Sequence, residues 1–317
     1  MESAIVAVSL AVLSMEFTIG AVANALLVVV NVMDYYKRLS FCPSNIILAS
    51  LGLTRFGFQC VVIISYFLNL LVPGTVKQEH INKPMTAIWM FFNFSSLWCA
   101  TWLCVHYCVK IANFTNVAFS FLKLRFSKLL PFLLLASLLV SLAFSLPFMM
   151  DINVIFGNGT SAFSLNNTPS AFPNTHFSSW TLFCTLGSSV PFLLFWLAAA
   201  LLITSLRRHV RRMKGSHLGG FRNPSLKAHC KAWETMIVFF LFYASFVTTV
   251  NVSASVTVKQ GNWYYCMCAV VASAYPSLHS VSLILCNSKL RETALRALPC
   301  ATTASRPGEP QVSSITP

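Results

Sequence analysis

The chain has 317 residues, of which 56% are hydrophobic and only 9% charged, with a mean hydropathy of +0.70. A soluble domain carries about 25% charged residues, so this composition excludes a water-soluble globular fold and points to an all-α membrane protein. The formal charge of +14 would suit a nucleic-acid partner, but the basic residues gather in alternate connections between apolar stretches, which argues for a membrane topology and against nucleic acid.

Stretches of about 20 apolar residues span a bilayer, and seven are predicted, at roughly 5–32, 44–72, 85–109, 129–150, 180–206, 233–256 and 264–285. The first has no basic leader and no small-residue cleavage site, so it reads as a retained helix. It carries Glu16, Gly20 and Asn24 four residues apart on one face; Gly20 permits close helix approach and Asn24 can hydrogen-bond across helices. Helix 2 holds Arg55 in an otherwise apolar run with no acid beside it. A charge at bilayer depth costs at least about 2.5–3.5 kcal/mol and normally faces a partner in the protein interior. That partner must come from another helix. Asn24 is the expected one, because Glu16 lies about 12 Å farther along helix 1 at 1.5 Å per residue.

In helix 3, Trp89, Asn93, Ser96, Ala100, Leu103 and Tyr107 share one stripe, with Trp98 and Trp102 opposite. The stripe suits a pocket at one end and a signalling contact at the other. Equally, Trp89 reads as an interface-belt residue and Asn93 as a helix–helix hydrogen bond. The connection after helix 4 contains two glycosylation sequons, at Asn158 and Asn166, and no cysteine. Cys184, Cys266 and Cys268 lie near helix ends, and the eleven cysteines do not form a disulfide framework. The end of helix 5 places Leu202, the pair Ser205-Leu206, His209 and Met213 at helical spacing among Arg207, Arg208, Arg211 and Arg212. That apolar stripe with a basic rim fits either a partner helix or lipid headgroups. Helix 7 contains Pro276 within Tyr275-Pro276-Ser277-Leu278-His279-Ser280, which invites a kink, and Ser277, His279 and Ser280 are placed to reach Arg55. His279 reads as a polar core residue and not a metal ligand, since no second ligand stands at metal-site spacing. Residues 287–298 fit a short interfacial helix, and 299–317 a disordered cytoplasmic tail. The chain is thus expected to be one seven-transmembrane domain, 1–298, with short termini.

Eighteen of the 22 basic residues fall on the even-numbered side of the spans, leaving only Lys77, Lys83 and Lys259 opposite and Arg55 within the membrane. Basic residues stay cytoplasmic, so the expectation is a multi-pass plasma-membrane protein with an extracellular N-terminus, a cytoplasmic C-terminus and contact with anionic inner-leaflet lipid. No phosphate loop, His-Glu-x-x-His, paired Cys-x-x-Cys or Gly-x-Ser-x-Gly pattern is present, so neither an enzyme nor a cofactor or metal site is expected. Intramembrane acids are limited to Glu16 and Glu234. A small-solute transporter, the alternative from another class, would show repeats or broken helices.

Several motifs in order narrow the class. Helix 1 reads Glu16-Phe17…Gly20…Asn24, helix 2 Leu53-Thr54-Arg55, and helix 3 Trp89…Asn93…Trp98-Cys99-Ala100-Thr101. Helix 3 runs on through Lys110-Ile111-Ala112-Asn113-Phe114-Thr115-Asn116 to Leu122-Lys123-Leu124-Arg125. Helix 5 ends Ser205-Leu206…His209…Met213, helix 6 runs from Ala228-His229 to Tyr243, and helix 7 reads Tyr275-Pro276-Ser277…His279-Ser280…Leu283-Ile284-Leu285…Asn287…Lys289-Leu290. The chain resembles the type 2 (bitter) taste receptors over nearly its whole membrane region. The resemblance implies a seven-transmembrane-helix G-protein-coupled receptor, and it accounts for the missing loop cysteine. It implies a pocket for small bitter, mostly hydrophobic agonists between helices 3, 5, 6 and 7, lined by Trp89, Asn93, Tyr243, Phe246, Ala269 and Ala272, with Tyr66 a further candidate. It implies that Tyr107, Lys110, Leu206, His209 and Met213 face a heterotrimeric, gustducin- or Gi-like G protein. A vomeronasal-type receptor is the nearer alternative, and would carry its loop cysteine and a different helix 7 motif. Phe94, Trp102, Asn45, Cys286 and the His106-Tyr107-Cys108 stretch depart from the family pattern, and Phe94 with the apolar Ala269 and Ala272 bears on ligand range.

Overall fold

The computed structural model describes residues 2–38, 42–71, 76–111, 117–149, 179–214, 234, 236–249 and 263–297. The described residues are helical almost throughout: α1 Glu2–Arg38, α2 Pro43–Leu71, α3 Val76–Ile111, α4 Val117–Ser145 with a 3₁₀ turn Leu146–Met149, α5 Ser179–Lys214, α6 Met236–Thr249, α7 Trp263–Cys286 and α8 Ser288–Ala297. Six of them are long and apolar enough to cross a membrane, and α6 is a shorter apolar helix over its described residues. The loop with Asn158 and Asn166, and the tail after 298, lie outside the described residues.

The helices pack as a bundle around α3. Its residues 93–101 are all buried, and it contacts α2, α4 and α5, while α1 lies against α2 and α7. α1 shows the resulting periodicity: Leu13, Ala23, Leu27 and Val30 are buried, whereas Val8, Met15, Ile19, Val22 and Val29 are exposed. So much exposed apolar surface on one helix is a lipid-facing wall.

α4 begins twelve residues before the predicted span. Lys123, Arg125 and Lys128, expected in a loop, lie exposed on its first turns, and the Arg125 guanidinium sits 4.7 Å from the centroid of the Phe121 ring. Hydropathy marks where charge begins, but nothing in that stretch breaks a helix before Pro131. At the other end of the chain, Asn287 interrupts the run of α7 into α8. Its Oδ1 accepts hydrogen bonds from the backbone N–H of Lys289 (3.1 Å) and Leu290 (3.4 Å), an N-cap for the short helix. Leu290 is buried, and Lys289 pairs with Asp34 of α1, so α8 is pinned against the end of α1.

Candidate functional site

Two groups of side chains occupy the bundle interior. The first is polar and joins α1, α2, α3 and α7. Arg55 is 0% exposed. Its Nε donates to Ser96 Oγ of α3 (3.3 Å), its Nη1 to Ser280 Oγ of α7 (2.9 Å), and its Nη2 to His279 Nδ1. The guanidinium carbon also stands 5.8 Å from the centroid of the Tyr275 ring. The partners are neutral, so the cation is held by oriented dipoles and a ring face in place of a carboxylate. A hydrogen bond to a charged group is worth about 1.5–3 kcal/mol, so three of them offset the cost of burying Arg55.

Asn24 is not Arg55's direct partner, contrary to the sequence expectation. Its Oδ1 accepts from Ser280 Oγ (2.7 Å), and its Nδ2 donates to Gln59 Oε1 (3.1 Å). α1 therefore meets Arg55 through Ser280, because α7 stands between them at this depth. Gln59 Nε2 donates to Ser277 Oγ, which donates to the main-chain carbonyl of Glu16 (3.2 Å), while Glu16 Oε2 accepts from Ser273 Oγ. Gly20 is required here: a Cβ at that position would overlap the Gln59 amide and crowd Ser277 Oγ. Gln59 carried no role in the sequence reading. Its signal is that it follows Arg55 by four residues, on the same face of an apolar helix.

The second group is aromatic and joins α2, α3, α5, α6 and α7. Trp89 packs against Phe58 (centroids 5.7 Å apart) and Phe246 (6.1 Å). Phe246 in turn meets Tyr243 (6.2 Å) and Tyr275 (5.4 Å), and Tyr243 stacks on Phe239 at 5.8 Å and 9°. From α5, Phe192 lies 5.7 Å from Tyr243 and Phe195 lies 4.9 Å from Phe239. Asn93, one turn from Trp89 on the same helix, is buried at 6% exposure, and its Oδ1 has no hydrogen-bond partner among the described residues. Buried acceptors are nearly always satisfied, so an acceptor of this kind beside an aromatic wall is suited to a donor group carried in by a small molecule. Ala272 packs against this core and Ala269 is half-buried, adding little side-chain bulk, while Tyr66 is half-buried on α2. The two groups touch at Tyr275 and at His279. The His279 ring lies 4.9 Å from Phe239, and its Nε2 has no partner among the described residues.

Toward the α8 end, Tyr107 is half-buried against the core and Lys110 is exposed. α5 runs through Leu206, His209 and Met213, whose side chains lie outside the described residues. Cys184, Cys266 and Cys268 are unbridged among the described residues.

A family profile described as Taste receptor protein (TAS2R) matches residues 1–302. Taste receptor type 2 member 2 of Homo sapiens is 34% identical over 289 residues, covering 90% of this chain and 94% of its own. Taste receptor type 2 member 9 of Macaca mulatta is 36% identical over 304 residues, covering 94% of this chain and 95% of its own. The chain belongs to the type 2 taste receptor family. Among solved structures, squid rhodopsin superimposes with a TM-score of 0.63 at 15% identity, over 98% of this receptor and 89% of that chain, which establishes the seven-helix fold. The protein is therefore a bitter chemosensory receptor of the G-protein-coupled class. Its family and fold are those of a receptor and not of an enzyme, and they imply a small-molecule ligand and G-protein coupling.

Proposed function

We propose that the receptor binds small amphipathic, mostly hydrophobic bitter compounds between α3, α5, α6 and α7. Trp89 offers a face for stacking or for a ligand cation, Asn93 Oδ1 a hydrogen-bond acceptor, Tyr243 and Phe246 a floor and wall, and Ala269 and Ala272 room. Tyr66 of α2 is a further candidate for this pocket. The observation that carries this reading is the buried Oδ1 of Asn93, without a hydrogen-bond partner among the described residues, one turn from the Trp89–Phe246 contact. The basic-residue distribution supports an extracellular N-terminus and a cytoplasmic α8 in the plasma membrane, with Asn158 and Asn166 outside and open to glycosylation. Tyr107, Lys110, Leu206, His209 and Met213 then face a heterotrimeric, gustducin- or Gi-like G protein. Ligand contact with α3, α6 and α7 favours the state that admits the G protein, a shift in population between two conformations.

The test is a calcium response in cells co-expressing the receptor with a taste-type chimeric G protein, screened against a panel of bitter compounds. Trp89→Ala and Asn93→Ala run alongside at matched surface density. A response that depends on the G protein and weakens at least tenfold in potency in both variants is expected. A receptor that responds equally well without either side chain overturns the pocket. Tyr107→Ala should abolish signalling with surface expression intact, and normal signalling by that variant removes Tyr107 from the G-protein face.

A further inference from the structure

The hydrogen bonds around Gln59 form one line. Arg55 Nη1 donates to Ser280, Ser280 to Asn24 Oδ1, Asn24 Nδ2 to Gln59 Oε1, Gln59 Nε2 to Ser277, and Ser277 to the Glu16 carbonyl. Each member passes a donor forward. The direction is fixed at both ends. A guanidinium has donors and no acceptor, and a main-chain carbonyl has acceptors and no donor. Ser280 must therefore accept from Arg55, which leaves its O–H for Asn24. That turns the Asn24 amide nitrogen toward α2, and the Gln59 oxygen must face it. The Gln59 nitrogen then points to Ser277, whose hydroxyl is left for the Glu16 carbonyl. A head-to-tail line polarises its own members, so that its bonds strengthen together.

We infer that Gln59 is the positioning residue that joins the Arg55 end of this line to the turn of α7 carrying Ser273 and Ser277, and that it transmits ligand contact on α7 to the rest of the bundle. Gln59 is 4% exposed, and its amide is the sole link in the line between the Asn24–Ser280–Arg55 segment and the Ser277–Glu16 segment. Gly20 provides the space for that amide. Ser273 follows Ala272 directly and binds the Glu16 carboxylate, so a displacement of α7 at the proposed pocket acts first on the Ser277–Glu16 segment. The signalling part of this inference rests on the proposed pocket; the line itself does not.

Two arms test it. In the first, full-length receptor purified into lipid nanodiscs is unfolded thermally in the presence of a thiol-reactive dye, which reports exposure of the buried Cys99 and Cys104. Gln59→Leu and Ser280→Ala are compared singly and together. These two side chains connect only through Asn24 in the line, so a polarised line predicts non-additivity: the double variant falls in Tm by little more than the worse single one. Additive losses would overturn the line. In the second, calcium responses are recorded with the bitter-panel compound that stimulates the wild-type receptor most strongly. Gln59→Leu should lower the maximal response at least threefold at matched surface density, with half-maximal concentration within about twofold of wild type. Gln59→Glu should behave like Gln59→Leu, because a carboxylate accepts from Asn24 but has no N–H for Ser277. A full maximal response from Gln59→Leu overturns the transmitting role. A wild-type receptor on the surface but silent to every compound counts against the proposed pocket, and the thermal arm still decides the line.

Discussion

The α1–α2–α7 seam and the α3–α5–α6 half of the bundle are built from different forces. The seam is held by hydrogen bonds that fix both distance and direction, from Arg55 through Ser280, Asn24, Gln59 and Ser277. The other half is held mainly by ring contacts such as Phe195–Phe239, Phe192–Phe240 and Trp196–Phe240, beside a hydrogen bond from Thr101 Oγ1 of α3 to the Pro191 carbonyl of α5 (3.0 Å). Ring pairs tolerate a range of offsets at similar energy, whereas a hydrogen bond weakens steeply once bent or stretched. The seam is therefore the more sharply defined part of the bundle, and on the proposed pocket the aromatic half is the part that re-packs around a ligand. Tyr275 and His279, which touch both, sit at the boundary between them.

Several substitutions break or sharpen that contrast. The largest effect is expected at Arg55. Arg55→Ala removes three hydrogen bonds at once and leaves His279 Nδ1 and the serines around an emptied space, so surface expression should fall by an order of magnitude. Arg55→Lys should not rescue it, because an ammonium lacks the planar fork that reaches Ser96, Ser280 and His279 together. Rescue by lysine, read by surface immunolabelling, would show that charge matters here and geometry does not. Next comes Gly20→Ala, whose Cβ collides with the Gln59 amide. A severalfold loss of surface receptor is expected, with only partial recovery in the Gly20→Ala, Gln59→Ala double variant, where the amide is gone but Ser277 Oγ still crowds the new Cβ. In the aromatic half, Phe239→Leu is a milder change. It trims a buried ring and keeps a branched apolar side chain, so it costs well under the about 3–5 kcal/mol of a Phe→Ala change, and surface expression should stay within about twofold while the concentration–response curve moves. If Phe239→Leu depletes the surface as Arg55→Ala does, the two halves are equally rigid and the contrast is lost. Smallest of all is Lys289→Ala. An exposed ion pair contributes about 0–1 kcal/mol, so breaking the Lys289–Asp34 contact should leave Tm within a few degrees, with α8 still held by buried Leu290.

The seam was partly legible in the sequence. Arg55 declared itself as a charge within an apolar run, and the Glu16, Gly20 and Asn24 spacing marked the face of α1 that packs inward. The choice of partner was not legible, because it depends on how the helices rotate about their axes: that rotation puts Ser280 between Asn24 and Arg55. Gln59 is marked only by its four-residue spacing from Arg55, because a single amide in a hydrophobic helix has no periodicity of its own. Polar and aromatic residues at helical spacing single out Trp89 and Asn93 on α3, yet nothing in one chain's sequence shows that Asn93 Oδ1 lacks a partner among the described residues, since that is a property of the neighbours. The basic start of α4 has the composition of a loop, because charge and helix boundaries do not coincide. The sequence-expected signalling residues Leu206, His209 and Met213 have side chains outside the described residues.

The contrast between seam and re-packing half is tested most directly by one set of concentration–response curves. Wild type, Asn93→Ala and Gln59→Leu are compared at equal surface density with the same bitter-panel compound and the same G protein. The expected result is a split: Asn93→Ala raises the half-maximal concentration at least tenfold with the ceiling kept, and Gln59→Leu lowers the ceiling with the half-maximal concentration kept. Movement of the same parameter by both variants would contradict the division of the bundle into a ligand-reading half and a transmitting seam.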